Sequence, residues 1–539
     1  MRPGSRAPLL VLVTLASVAA IVLLAGPLGS GSNGEPALTP TNHQASLPPG
    51  ASRTLDPGSA LPGSPLPSPA TAGLIPIVPV TSFRAPWDST DAAEVAAVLA
   101  GTSTRYRAVE VLARDADAVL AAVGASRPPT GSRFITVNSA TALRDDLART
   151  ADRLGFLRAD DVVPSVRALA WGVVSLFGVH RVASVASWPL SIQARESPAS
   201  YDPATAWTLV AGGDINLDGS VAYHVKTLGL GVDFPFAGGT AEILSRYCCS
   251  TRGALLPRAK RTGNAGAVHD LLSKADLSIA NFENPAPDDF VYHPGGYRFS
   301  ADPALIEGVK NAGIDWVSLA NNHVGDSGAR GIADTIANLD RWGIAHGGAG
   351  VNLAAARAPS ILQAGGIKVA VLGYDRIKPA YGAGPTTAGS NQMSAVRVRQ
   401  DVAAARALGA ELVIVFPHWG VEYTANPTAY QRSLAHAAID AGADVVIGNH
   451  PHWAGAVEVY KGKPTFYALG DFVFNIDRSE QTEEGITLEL TYSGTRLVQA
   501  QIHPYLILDG SQPNFLDPAR SGRVVMDQVF RASRGLLPW

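Results

Sequence analysis

Six apolar runs in the C-terminal part of the chain each stop at residues able to hold a cation. TLVAGGD stops at Asp214, DLSIANFE at Asn281 and Glu283, and DWVSLANNH at Asn321, Asn322 and His323. ELVIVFPHW reaches His418, DVVIGNHPH reaches Asn449, His450 and His452, and TFYALGDF stops at Asp471. Carboxylates neutralise a cation and can bridge two of them; imidazole suits Zn, Fe and Mn; Asn offers a neutral oxygen. His450-Pro451-His452 places two imidazoles two residues apart, on one side of an extended backbone, and the proline limits how the loop flexes. No thiolate belongs to the set, which argues against a structural Cys zinc site. A mixed Asp/Glu/Asn/His set suits a dinuclear hydrolytic centre that activates water toward phosphorus or carbonyl carbon.

Such residues can meet only if the runs are parallel strands of one sheet, because ligands gather beyond the carboxyl ends of strands in α/β sheets. The sequence supports this with a recurring theme: a helix, Gly, a small residue, an acid, then an apolar run. It appears as NAGIDWVSLANNH, ALGAELVIVFPHWG and DAGADVVIGNHPHW. Gly suits a left-handed helix end, and the run suits a buried parallel strand. The expected architecture is an α/β sandwich. Upstream, residues 75–200 predict a small α/β accessory domain, with LIPIVPV and RFITVN as strands and AAEVAAVLAG, DADAVLAAVG and TALRDDLARTADRLGF as helices. That region carries no cluster of ligand-type residues, which leaves it a structural, docking or ligand-capturing module.

The chain has 539 residues, 43 basic and 46 acidic, so nucleic acid is not an expected partner. Arg2 and Arg6 precede LLVLVTLASVAAIVLL, and no acid occurs before Glu35. Its length lies between a cleaved signal peptide and a spanning helix. Residues 1–30 are read as a transmembrane signal-anchor, with a secreted product after cleavage as the alternative. The charge bias places the bulk of the chain outside the cytoplasm, at the cell membrane. Residues 31–74 form a Pro/Gly/Ser-rich linker, semi-rigid and extended. Residues 205–510 form the main domain and 511–539 a C-terminal tail. Neighbouring cysteines rarely reach disulfide geometry. Cys248 and Cys249 are therefore expected as buried thiols, with an intermolecular link or a soft metal site as alternatives.

The ordered pieces GGDINL (212–217), ADLSIANFENP (275–285), YRFSADP (297–303), SLANNHVGDSGARGIADTIANL (318–339), GIAHGGAGVNLAAARAP (343–359), HWGVEY (418–423), GADVVIGNHPHW (442–453) and YALGDFVF (467–474) resemble the CapA family of poly-γ-glutamate capsule biosynthesis proteins, within the calcineurin-like metallophosphatases. The resemblance implies a four-layer α/β/β/α sandwich with one or two divalent ions (Mn, Fe or Zn) at the strand ends. It implies Asp214, Glu283, Asn322, His418, His450 and His452 as metal ligands, with Glu283 where such enzymes have a bridging carboxylate. His323 would be the acid that protonates a leaving group, and Asp326 would orient it. Arg298 and Glu422 are candidates for substrate binding. The chain departs from the pattern at Asn216, where a first-strand His is usual, at Asn449, and at Asp471 in place of a common Asn.

The expectation is an extracytoplasmic, membrane-anchored metal-dependent hydrolase that cleaves a phosphoester or an amide bond in an anionic surface polymer or its precursor, alongside membrane synthase partners. Two rivals stand beside it. One is a non-catalytic assembly or export factor whose metal grips polymer carboxylates. The other is a binding protein whose 75–200 domain captures the ligand.

Overall fold

The computed structural model describes residues 73–128, 133–194, 201–250, 252–291 and 296–536. The expected anchor (1–30) lies outside the described residues, as does all but the end of the expected linker. Among the described residues no helix is long and apolar enough to cross a membrane.

Residues 73–194 build a small sheet from β1 (Gly73–Ser82), β2 (Ala108–Leu112), β3 (Phe134–Val137), β4 (Arg153–Arg158), β5 (Val166–Ala168) and β6 (Ser191–Ala194). β2 pairs in parallel with β3 and β4, while β1 runs antiparallel to β4, β5 and β6. Its helices bury Val95, Val98, Val119, Leu143 and Leu147 in a core that Val498 of the main domain also joins. The unit docks through Val179 N–H and Gly178 N–H, which donate to Glu489 Oε1 (2.6 Å) and Thr491 Oγ1 (3.0 Å).

The rest of the chain forms two large sheets. The first contains β7 (Ala206–Ile215), β8 (Thr240–Cys248), β9 (Leu255–Gly263), β10 (Leu277–Phe282), β11 (Trp316–Ser318) and β12 (Ala345–Gly347). The second contains β13 (Ser360–Ala364), β14 (Ile367–Asp375), β15 (Leu412–His418), β16 (Val445–Ile447), β17 (Val457–Tyr460) and β18 (Lys463–Phe466). The chain then returns to the first sheet with β19 (Asp471–Val473), β20 (Glu484–Ser493), β21 (Arg496–Leu508) and β22 (Gln512–Leu516). The strand orders are β9-β8-β22-β21-β20-β7-β10-β11-β12, with β19 beside β7, and β13-β14-β15-β16-β18-β17. The sheet thus runs past residue 510 through β22, and the helix Arg523–Ala532 buries Val525, Met526 and Val529 in the core.

Alternation within single strands sets the layers. Leu209 and Ala211 of β7 face Ile414 and Phe416 of β15 across the inter-sheet core, with Trp316 and Phe416 ring centroids 5.5 Å apart. Val210 between them faces the helices over the first sheet, with Val268, Val309 and Ile332. Val413 and Val415 face the helices over the second, with Val402, Leu434 and Ala438. Successive strand side chains point to opposite faces, so strands covered on both faces read as continuous apolar runs. The result is a mixed α/β fold in four layers: helix, sheet, sheet, helix.

The recurring helix-Gly-acid theme acquires a physical reason. Gly313, Gly409 and Gly442 follow the helices with φ of 86°, 87° and 106°, a conformation that favours glycine. The acid then accepts a backbone N–H from the neighbouring strand at its entry: Asp315 from Ser278 (2.8 Å), Glu411 from Lys368 (3.1 Å) and Asp444 from Val413 (2.9 Å). Each turn therefore reverses the chain and satisfies a backbone donor at the start of a neighbouring strand.

Candidate metal centre

The carboxyl ends of β7, β10, β15 and β16 converge with the start of the short β19. β7 and β10 pair in parallel with Asp214 beside Asn281, and β19 sets Asp471 opposite Asp214. Gly213 makes that approach possible, since a Cβ there would lie 1.9 Å from the Gly470 carbonyl oxygen. From the other sheet, His418 ends β15, while His450 and His452 lie in the loop after β16. Both loop histidines have positive φ, 95° at His450 and 59° at His452, a costly conformation for side-chain-bearing residues. The packed loop holds both rings inward despite that cost.

Among the described residues, three groups have ligand-type atoms that lie within 4.8 Å of one another inside each group: Glu283 with His418 and His450, Glu422 with His450 and His452, and Asp214 with His452 and Asp471. His418 Nε2 lies 2.7 Å from Asn322 Oδ1, 3.3 Å from Glu283 Oε1 and 3.2 Å from His450 Nδ1. His452 Nδ1 lies 2.7 Å from Asp471 Oδ1 and 3.7 Å from Asp214 Oδ2. Asn281 Nδ2 donates to Asp214 Oδ1 (2.8 Å), and the backbone N–H of His450 donates to Asp214 Oδ2 (3.3 Å).

Hydrogen bonds leave these carboxylates underserved. Both oxygens of Glu283, fully buried, accept no hydrogen bond, and neither does Asp471 Oδ2. The Asn449 amide is likewise buried without a partner. An unpaired buried charge costs several kcal/mol. A cation between these atoms removes that cost, so the residues fit one.

The protonation pattern follows from the same crowding. Burial, and then the charge of Glu283, push Asp214 up to about 8. Burial pushes Glu283 up to about 7 and raises Asp471. Burial holds His418 down to about 4 and His450 well below its ordinary value. Burial would also lower His452, but Asp471, Glu283 and Asp214 outweigh it and hold the ring up to about 10. The folded, metal-free protein therefore binds more protons than the unfolded chain between pH 7.5 and 9, through His452 and Asp214. Stability falls as pH rises wherever the folded state holds the extra protons. Metal-free protein is expected to lose on the order of 1 kcal/mol per pH unit across that window. Added metal, which displaces those protons, should stabilise more at pH 9 than at pH 7.5. Thermal melts in chelator and in Mn2+ at both pH values read this out, and a metal-free melting point that rises with pH contradicts it.

His323 stands apart from the three ligand groups. Its Nδ1 lies 2.6 Å from Asp326 Oδ2, and Phe299 packs on its ring, with centroids 4.1 Å apart. Burial works against the Asp326 charge, but hydrogen bonds from His323, Phe299 N–H and Tyr381 Oη hold the carboxyl below its usual range. Lys378 Nζ adds a charge 3.7 Å from Asp326 Oδ1.

Six expected ligands, Asp214, Glu283, Asn322, His418, His450 and His452, are thus brought together, with the His323–Asp326 pair among the neighbouring elements. Glu422, expected at the substrate, is exposed, yet its carboxylate reaches ligand distance of His450 and His452. Arg298 is exposed, one residue from the Phe299 that packs on His323, and is in none of the three groups. Asn216 turns away from ligand duty and accepts Asp218 N–H (2.9 Å). Asp471, read as the end of the sixth apolar run and as a departure from the family's Asn but not among the implied ligands, is part of a ligand group. Lys378 and Tyr381, which brace Asp326, carry no signal in the sequence. The expectation of buried thiols at Cys248 and Cys249 is corrected: both are exposed at the end of β8, in the edge ribbon of the first sheet, which gives them no core to enter.

Residues 208–476 match the family model described as "Bacterial capsule synthesis protein PGA_cap". The chain is 31% identical over 279 residues to the capsule biosynthesis protein CapA of Bacillus anthracis, covering 50% of this chain and 67% of that protein. It is 31% identical over 212 residues to the PGA biosynthesis protein CapA of Bacillus subtilis (strain 168), covering 39% and 56%. Among solved structures, the calcineurin-like phosphoesterase YfkN from Bacillus subtilis aligns at 12% identity with a TM-score of 0.31, over 61% of this chain and 96% of that one.

Proposed function

The chain belongs to the PGA_cap family of bacterial capsule synthesis proteins, and from that premise we propose that it is a divalent-metal-dependent hydrolase acting outside the cytoplasm on an anionic surface polymer or its precursor. We place it at the membrane through the apolar stretch after Arg2 and Arg6, beside membrane synthase partners. The observation that carries the metal reading is Glu283, a buried carboxylate without a hydrogen bond, at ligand distance from His418 and His450.

When bound, one or two Mn, Fe or Zn ions would supply Lewis acidity toward a phosphoryl or carbonyl oxygen. Glu283, His418, His450 and Asn322 would hold one ion; Asp214, His452 and Asp471 would hold another. The protein's own contribution to bond cleavage is His323. Asp326 engages Nδ1 and leaves Nε2 as the nitrogen able to give a proton to the departing oxygen or nitrogen. Phe299 keeps the ring in place by contact, and Tyr381 and Lys378 keep Asp326 in place. The buried histidines and carboxylates exclude bulk water, which strengthens each of these interactions.

A second reading, a non-catalytic assembly factor that grips polymer carboxylates, draws on Asn216, which supplies no ligand where a histidine is usual. Elemental analysis joined to turnover separates the two. The hydrolase reading expects about one or two ions per chain and chelator-sensitive cleavage of bis(4-nitrophenyl) phosphate or poly-γ-glutamate. Bound metal with no cleavage of either substrate sinks it in favour of the assembly factor.

A further inference from the structure

The ribbon β8–β9 is the edge of the first sheet, and among the described residues β9 has β8 as its one strand partner. Residues 240–263 carry five basic side chains and one acidic, in a chain whose net charge is −3. Three of the five are engaged: Arg246 with Glu480, Lys260 with Glu242 (3.5 Å) and Arg261 with Asp509 (2.7 Å). Among the described residues no carboxylate pairs with Arg252 or Arg258, and both are exposed. Arg258 lies 5.9 Å from the centroid of the exposed Tyr247 ring. Leu244 and Leu255 are also exposed on the ribbon. Guanidinium groups interleaved with apolar side chains match a ligand with repeated negative charges on an aliphatic stem.

The ribbon also connects to the metal centre through a short series of contacts. Ser250 Oγ, at its tip, donates to the Arg478 carbonyl (2.8 Å). The Arg478 guanidinium lies 3.8 Å from the Tyr423 ring centroid, and that ring stacks on His452 with centroids 5.8 Å apart. Tyr423 is held there with φ of 61° by its N–H bond to the Pro451 carbonyl (2.8 Å). The ribbon is thus linked, through the half-buried Arg478 and the Tyr423 ring, to the ligand-type residue His452.

We propose that the β8–β9 ribbon is the docking track for a carboxylate-bearing polyanionic chain, which passes from Arg252 and Arg258 over Arg478 into the metal centre. The proposal rests on the reading of that centre as acting on an anionic polymer, but its test does not need turnover. Fluorescein-labelled poly-γ-glutamate is titrated with the metal-loaded full chain, read by anisotropy, at low and high salt. Arg252→Glu/Arg258→Glu is expected to bind about tenfold or more weakly, with a shallower salt dependence, because two exposed charges are reversed. Metal content serves as the folding control, and Arg252→Lys/Arg258→Lys, which keeps the charge, should restore most of the binding. Binding by the Glu variant within about twofold of wild type, the scale of a neutral surface change, overturns the track. So does a wild type that prefers phosphatidylglycerol vesicles to the polymer and loses only vesicle binding in the variant. A protein without hydrolytic activity that still shows the charge-dependent polymer binding leaves the track standing and removes only the hydrolase reading.

Discussion

Asp214→Ala/His450→Ala is expected to strip the protein of bound metal. The two substitutions touch all three ligand groups: His450 belongs to two of them and Asp214 to the third. Loss of a partner that merely orients a ligand weakens metal binding about 10–100-fold; loss of direct ligands in every group should exceed about 100-fold. Elemental analysis after dialysis should fall from about one or two ions per chain to near none. The metal-free state supplies a check of opposite sign. Asp214 is fully buried among other acids and pushed up to about 8, so its charge is a burden without a cation. Metal-free Asp214→Asn, which keeps the shape and an acceptor for Asn281, is therefore expected to melt no lower than metal-free wild type. Only the metal-loaded wild type should stand clearly above both. A double variant that keeps its full metal content refutes the assignment of these residues as ligands.

His323→Ala is expected to lower kcat about 10²–10⁴-fold while metal content stays at the wild-type level. The separation is the point of the experiment. His323 is in none of the ligand groups, and its Nδ1 is committed to Asp326 at 2.6 Å. A pure ligand would lose metal and activity together. A general acid loses activity alone, and most for substrates whose leaving group needs a proton. The deficit should shrink with a leaving group such as 4-nitrophenolate, which departs without one. Asp326→Asn should follow the same pattern more weakly, because Phe299 still holds the ring. Equal loss of turnover across leaving groups, or loss of metal, contradicts the role.

Much of the centre is legible in the sequence because strand ends announce themselves. An apolar run that stops abruptly at His or Asp marks the place where a buried parallel strand leaves the core. Asp214, Glu283, His418, His450 and His452 all carry that mark. The acids after the helix-ending glycines were visible as a repeat. The remaining parts of the centre had no such mark. Lys378 and Tyr381 reach Asp326 from a loop after β14 in the other sheet, and Tyr381 is 55 residues away in sequence. The ribbon reads as polar sequence, and its connection to His452 runs through Arg478 and Tyr423, which no local pattern links.

The division has a physical cause. Local periodicity, helix-ending glycines and the chemistry of ligand types depend on near neighbours, so the sequence by itself determined the strands, the turns and the inventory of donors. Which donors share a cation depends on the register between strands and on the facing of two sheets. Asn281 and His418, 137 residues apart, meet at 3.2 Å because the inter-sheet core brings β10 and β15 to one rim. Likewise, the positive φ of His450 and His452 is held by packing around their loop. Only the tertiary structure decided that both rings turn inward and that Asp471 joins them, because long-range packing stabilises conformations that the local chain disfavours.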